Sequence, residues 1–365
     1  MMELIGVTPQ ALFGQLLLGV INGAFYAMLS LGLAVIFGML QIVSFNHGAL
    51  YMMGAFVALL SLRHLGIGYW YSLLLGPVVI GIFGLILERL VFRHLYKLDQ
   101  IYGLLLTFGL ALVIEGLFRN AYGVTGIPYA TPVELSGGWN LGFFFLPKYR
   151  AWVVAVSILT CLAVWFLIER TRLGAYLRAA IENASLFQAF GIDVARLFTL
   201  TYGLGVALAA FAGVLAAPIY SVNPMMGSNI IIVVFAVVVI GGMGSIMGAI
   251  VSGFGVGIIE GLTKVFYPQA SSTVIFVLMA VVLLLKPAGL FGELRRRCIT
   301  CLSSSTNWLV VISMFHGAAP GRRENDAGRN GRCGWPAFAF AVATASGLCA
   351  TAASSILVAT DDVPT

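Results

Sequence analysis

Two long stretches of this chain carry no charged side chain: Leu4–Leu62 and Leu197–Ile259 contain no Asp, Glu, Lys or Arg. Shorter charge-free runs lie at His64–Leu87, Gln100–Ile114, Ala151–Ile168 and Val265–Leu285. A helix needs about 20 apolar residues to cross the hydrocarbon of a bilayer, so each long block must fold back at least once within it. Charged residues make up 9% of the chain, far below the roughly 25% of soluble domains. The expected fold class is all-α, a polytopic transmembrane helix bundle of about eight or nine spans. The 43 glycines suit that class, because small residues let membrane helices approach closely.

The few charges set the orientation. The net charge of +6 is not gathered on one amphipathic face, so a nucleic-acid surface is excluded. The basic residues fall at segment ends instead. Three clusters, Arg89/Arg93/Lys97, Arg170/Arg172/Arg178/Arg196 and Lys286/Arg295/Arg296/Arg297, hold 11 of the 20 basic residues. The positive-inside rule puts them on the cytoplasmic side. Spans are then expected at Ala11–Leu40, Ala49–Leu62, Trp70–Leu87, Ile101–Phe118, Ala151–Ile168, Leu197–Pro218, Ile230–Gly242, Ile246–Phe266 and Ser272–Leu285. Ile230–Gly242 is short for a crossing. Ala121–Tyr149, with Pro128, Pro132, Gly137-Gly138 and Pro147, reads as an outer loop. Met1-Met2-Glu3 lacks the basic start of a secretory signal. The lone Cys298-Ile-Thr-Cys301 has no second pair and no histidine at zinc spacing, so no metal site is expected.

Two irregular stretches interrupt the apolar blocks. Gln41-Ile-Val-Ser-Phe-Asn-His-Gly48 supports two readings. Asn46, His47 and Gly48 could belong to broken helix lining a translocation pathway, since freed backbone at membrane depth must be buried or line a cavity. They could equally form a plain cytoplasmic turn. Asn223 is a further pathway candidate. The second stretch, Gly241-Gly-Met-Gly-Ser-Ile-Met-Gly248, continues through Gly253, Gly257 and Gly261 at four-residue spacing. That spacing puts a smooth stripe on one helix face and assigns Gly241, Gly242, Gly244 and Gly248 to helix packing. No lysine follows to make a phosphate-binding loop.

Acidic residues inside apolar runs are functional candidates by default. Here Glu115 precedes Arg119 by four and Glu260 precedes Lys264 by four. Each pair shares a helix face and is expected to neutralise itself.

Glu169–Arg196 is the most polar stretch between spans, and it is longer than an ordinary interhelical connection. Ala175–Asn183 reads as a short helix with an Arg178/Glu182 pair, and Ala184–Phe190 as a second, ended by Gly191 before Ile192-Asp193. Two short helices at an angle suit docking of a soluble partner. The residues Gly174-Ala-Tyr-Leu-Arg-Ala-Ala-Ile-Glu-Asn-Ala184 with Ala189-Phe-Gly-Ile-Asp-Val194 resemble the ATPase-coupling loop of branched-chain amino acid ABC transporter permeases of the LivH type. The resemblance to that family continues through Ala209–Leu215, Asn223-Pro-Met-Met-Gly227 and Val239-Ile-Gly-Gly-Met-Gly-Ser245. Phe45-Asn-His-Gly48 with Gly54-Ala55 is similar to the family's front signature, Ser44 and Asn46 standing where Asn and Ala are usual.

The resemblance covers roughly residues 10–292 and implies the membrane half of an ATP-driven importer of leucine, isoleucine and valine. It implies a LivM-like second permease, two cytoplasmic ABC ATPases, a periplasmic amino-acid-binding protein and a place in the bacterial inner membrane. The chain itself would be no enzyme and carry no cofactor, ATP being bound by partner subunits. Gly174, Arg178, Ala179, Glu182, Asn183, Ala184, Gly191 and Ile192 would form the coupling surface. Urea or short amides are the alternative cargo, and an ion-coupled secondary carrier using Glu115 or Glu260 is the alternative class. The permease domain is expected over residues 1–292. Residues 293–365 change to a polar, cysteine-bearing composition that reads as an added tail or a shifted reading frame.

Overall fold

The computed structural model describes residues 9–40, 44–93, 100–140, 145–182 and 184–292. The chain divides into two units, Met1–Leu294 and Arg295–Thr365; the tail expected over 293–365 lies outside the described residues.

In lipid every backbone N–H and C=O must be satisfied within the chain, which leaves helices as the spanning element. The helices are α1 (Pro9–Leu40), α2 (Asn46–Leu65), α3 (Tyr69–Leu87), α4 (Gln100–Tyr122), α5 (Lys148–Arg170), α6 (Arg172–Glu182), α7 (Ala184–Ala189), α8 (Val194–Ala216), α9 (Met226–Gly241), α10 (Ile246–Phe266) and α11 (Ser271–Leu285). Eight of these are long and apolar enough to span, and α9 is a shorter apolar helix, which matches the expected eight or nine crossings. Their ends follow local chemistry. Asp193 caps α8 by accepting from the Arg196 N–H at 3.2 Å, and Ser245 caps α10 by accepting from the Gly248 N–H at 3.1 Å. Gly66, at φ +62°, closes α2 in the left-handed conformation that only glycine adopts cheaply.

α1, α2 and α8 form the interior, while α4, α5 and α11 stand at the periphery. The peripheral helices expose Leu105, Leu112 and Leu117 on α4 and Leu159 and Phe166 on α5, a surface suited to lipid. The central seam joins α1 to α10 in antiparallel fashion. A Cβ on Gly19 would lie 2.6 Å from the Gly257 carbonyl oxygen, and one on Gly253 would lie 2.5 Å from the Ala27 backbone. Backbone against backbone at that range admits no side chain, so the four-residue glycine spacing is used for close approach. Gly241 and Gly248 meet in the same manner between α9 and α10. Gly242 and Gly244 add a conformational demand, sitting at φ +102° and +88° in the turn between those helices. They also approach backbone, a Cβ on Gly242 lying 2.6 Å from the Gly292 nitrogen and one on Gly244 3.2 Å from Gly38 Cα.

The outer loop is more ordered than its prolines and glycines suggest. β1 (Gly138–Asn140) and β2 (Phe145–Pro147) pair antiparallel, with Gly138 opposite Pro147. Ile127 bridges to Val222 in the α8–α9 connection, and the Trp70 indole N–H donates to Glu134 at 2.7 Å.

Candidate functional site

α2 does not begin at a surface. Its first residues, Asn46 and His47, are fully buried, as is Ser44 just before them. The Ser44 hydroxyl donates to the Asn46 side-chain oxygen, and Asn46 Nδ2 donates to the Tyr202 hydroxyl at 3.2 Å. Tyr202 lies about two turns into α8, so α2 starts deep in the bundle. The Phe45 N–H donates to Thr107 Oγ1 of α4 at 3.3 Å, and the Phe45 ring stacks on Phe235 of α9. Of the stretch Gln41–Gly48, residues 41–43 lie outside the described residues, and Ser44, Asn46 and His47 are buried against protein.

The His47 ring packs directly on α1 where Gly32 leaves no side chain. A Cβ on Gly32 of α1 would lie 3.0 Å from His47 Cε1 and 2.9 Å from the Gly205 carbonyl oxygen of α8. Neither ring nitrogen has a hydrogen bond of normal geometry, although the Leu29 backbone faces the ring. Gly48 meets Gly227 at the start of α9, where a Cβ would lie 2.5 Å from the Gly227 carbonyl oxygen. The N-terminal turns of two helices thus touch inside the protein, and neither N-cap, Phe45 or Met225, caps its helix with a side chain. Helix N-termini carry partial positive charge, so this junction favours a polar or anionic neighbour. Asn223 does not join it. Its Nδ2 donates to the Ser221 carbonyl at 3.2 Å, within the connection ahead of α9.

The polar network is worth testing directly. Tyr202→Phe removes the acceptor of the buried Asn46 amide, and a buried donor left unpaired costs about 1–3 kcal/mol. The detergent-purified variant is expected to melt measurably lower than the parent. Equal melting would mean that the bond contributes nothing.

Sequence reasoning missed Glu88. It ends an apolar run directly before Arg89, and nothing local marks it. In the structure it is buried in a π-helical turn, Glu88–Phe92, that extends α3. The Thr199 hydroxyl of α8 donates to its Oε2 at 2.6 Å. Single π-turns recur at functional sites, but no spacing rule reveals a partner over a hundred residues away.

The polar segment between α5 and α8 folds as α6 and α7, joined through the rings of Tyr176 and Phe187, whose centroids are 6.0 Å apart. α6 starts at Arg172, earlier than the expected Ala175, because Gly174 fits directly onto the Ile168 carbonyl. Gly174, Leu177 and Ala180 face inward, with Ala179 partly covered, while Leu173, Tyr176 and Phe190 are exposed. Arg178 pairs with Glu169 at 3.0 Å. That pair reaches back to α5, since the chain reverses between α5 and α6 and brings Glu169 alongside; the expected Arg178/Glu182 pair involves a side chain outside the described residues. The side chains of Glu182 and Ala184, and the whole of Asn183, lie outside the described residues. Gly191 turns the chain at φ +81°, and Ile192 leads into the Asp193 cap.

The two intramembrane acids behave differently. Glu260 pairs with Lys264 as expected. Glu115 and Arg119 form no ion pair, Arg119 being exposed on the outer face of α4. Sharing a face was not enough, because a long side chain at the end of a peripheral helix is free to turn outward. Among the described residues no cluster of His, Cys, Asp or Glu could hold a metal ion.

Comparison with known proteins adds the following. A family profile described as branched-chain amino acid transport system / permease component matches residues 15–284. The high-affinity branched-chain amino acid transport system permease protein LivH of Escherichia coli K12 is 29% identical over 294 residues, 76% of this chain and 95% of that protein. The probable branched-chain amino acid transport permease protein LivH of Methanocaldococcus jannaschii is 30% identical over 297 residues, covering 76% of this chain and 92% of its own. The permease protein LivM of Salmonella typhimurium is 28% identical over 295 residues, 74% of this chain and 68% of LivM. No solved structure matches.

Proposed function

Since this multi-pass membrane protein belongs to the branched-chain amino acid transport system permease family, we propose that it is the LivH-type subunit of an ATP-driven importer of leucine, isoleucine and valine in a bacterial inner membrane. It works beside a LivM-like second permease, with two ABC ATPases binding the ATP and a periplasmic binding protein delivering the cargo. Residues 1–292 are the permease unit, and 293–365 an appendage to it.

The observation that carries the reading is the α6–α7 pair. It displays Leu173, Tyr176 and Phe190 to solvent beside exposed Arg172 and Arg178, in a chain whose other exposed apolar surface suits lipid. Apolar anchors within a polar rim are what a protein partner docks on. Movement there has a defined route inward. Gly174 ties α6 to the end of α5, and Gly191 ties α7 to α8. α8 holds Glu88 through Thr199 and Asn46 through Tyr202, so tilting α8 shifts the π-turn and the start of α2 together. ATPase closure then biases two arrangements of one connected element, which is what coupling between distant sites requires.

Reconstituted with the second permease and both ATPases, the chain is expected to take up leucine only with ATP and the loaded binding protein. Uptake without ATP would favour the ion-coupled carrier. Uptake of urea but not leucine would favour the amide cargo.

A further inference from the structure

Glu260 lies in the outer third of α10, as the charge bias orients it, and is 7% exposed. Its carboxylate accepts from the Tyr26 hydroxyl of α1 at 2.9 Å through Oε2 and from the Lys264 ammonium through Oε1. Next to it the Tyr220 hydroxyl donates to Asn22 Oδ1 at 2.7 Å. Tyr220 stands within electrostatic reach of both Glu260 and Arg150. Asn22 and Tyr26 share one face of α1 at four-residue spacing, as Glu260 and Lys264 do on α10. Tyr220 is 41% exposed, and the Lys264 side chain 33%, so the cluster borders an open face rather than a sealed interior.

A charge pair at this depth is not needed to hold α1 on α10. Backbone contacts at Gly19, Gly23, Gly253, Gly257 and Gly261 already do that. Replacing a buried ion pair by apolar residues of equal volume is often neutral or stabilising, and charged residues within membrane spans mark ligand pathways by default. One carboxylate and one ammonium a single helical turn apart are complementary to a ligand carrying the same two charges.

We propose that this cluster is the outer subsite that receives the zwitterionic head of the transported α-amino acid, its ammonium on Glu260 and its carboxylate on Lys264. The proposal rests on the amino-acid cargo inferred above. When the site is empty, the two side chains neutralise each other. When the ligand arrives, each exchanges one opposite charge for another, so no charge is left uncompensated. Tyr26 fixes the carboxylate, and Asn22 with Tyr220 supplies further polar contact on the open side. A neutral amide has no charge to offer either partner.

The test uses the full-length chain in the complete transporter, reconstituted in vesicles with leucine-loaded binding protein. Glu260→Gln and Lys264→Met are each expected to lower leucine uptake about ten- to hundredfold, the scale of one charge-assisted hydrogen bond. The double variant decides between ligand and scaffold. Neutralising both partners leaves a merely structural pair satisfied, so recovery of uptake in Glu260→Gln/Lys264→Met overturns the proposal, whereas continued loss supports it. Tyr26→Phe keeps both charges and the ring, and it serves if the charge variants fail to assemble. A raised KM for leucine in it supports the subsite, and an unchanged KM overturns it. If the parent transporter takes up no leucine at all, the cargo reading has failed and the subsite with it, an outcome distinct from recovery in the double variant.

Discussion

Gly257→Leu is expected to abolish the folded bundle. A Cβ at this position would lie 2.5 Å from the Gly19 carbonyl oxygen and closer still to the Gly23 backbone. No rotamer relieves that, because the clash is with main chain in α1, the most buried of the described spans. Overpacking of side chains costs about 1–3 kcal/mol. Forcing two backbones apart along the α1–α10 seam also unpacks the residues on either side, so a loss of at least roughly 4 kcal/mol is expected, at the extreme of what single substitutions do. The readout is the yield and melting of detergent-purified protein. Gly255→Leu is the control, since a Cβ there meets nothing within 4 Å, and it is expected to melt within a few degrees of the parent. Equal losses at both positions would show that bulk on α10, rather than the seam, is responsible.

Gly174→Val is expected to separate ATP hydrolysis from uptake. Gly174 sits so close on the Ile168 carbonyl that any Cβ must push α6 away from α5. The shift stays in the α6–α7 projection, away from the seam that holds the spans. The bundle should therefore assemble, and the ATPases of the proposed transporter should sit mispositioned on it. Coupling between sites is typically worth about 1–3 kcal/mol, so leucine transported per ATP hydrolysed is expected to fall roughly 5- to 150-fold. Co-purification of the ATPases checks assembly. A parental transport-to-hydrolysis ratio in a correctly assembled complex would sink the assigned coupling role.

Both expectations depend on glycine, yet only one kind was legible beforehand. The four-residue spacing from Gly253 to Gly261 announces a packing stripe in any helix, because the period alone sets the face. Gly174 is singled out only by the family resemblance and by no spacing, since its close contact comes from a chain reversal that brings the Ile168 carbonyl against it. Gly242 and Gly244 combine two demands, a positive φ in the connection between α9 and α10 and close approach to the Gly292 and Gly38 backbone. The site residues divide in the same manner. Asn46, His47 and Gly48 stand out as polar and small residues in an apolar block, which marks them as unusual without saying whether they face water or protein. Asn223 is unusual in the same sense, and the structure gives its side chain to its own turn.

Membrane residence, a count of about eight or nine spans and the place of the polar α6–α7 segment between spans were legible in the sequence alone. Each depends on the local presence or absence of charge, and transfer into lipid is decided segment by segment. Tertiary structure alone decided that α2 begins deep inside, that Glu88 is buried, that Arg178 turns to Glu169, and that Glu260 gathers Tyr26 as well as Lys264. Those outcomes join positions such as 46 with 202, 88 with 199 and 26 with 260. A hydrogen bond or ion pair acts over a few ångströms in space, and no local pattern records which distant helix will supply the other half.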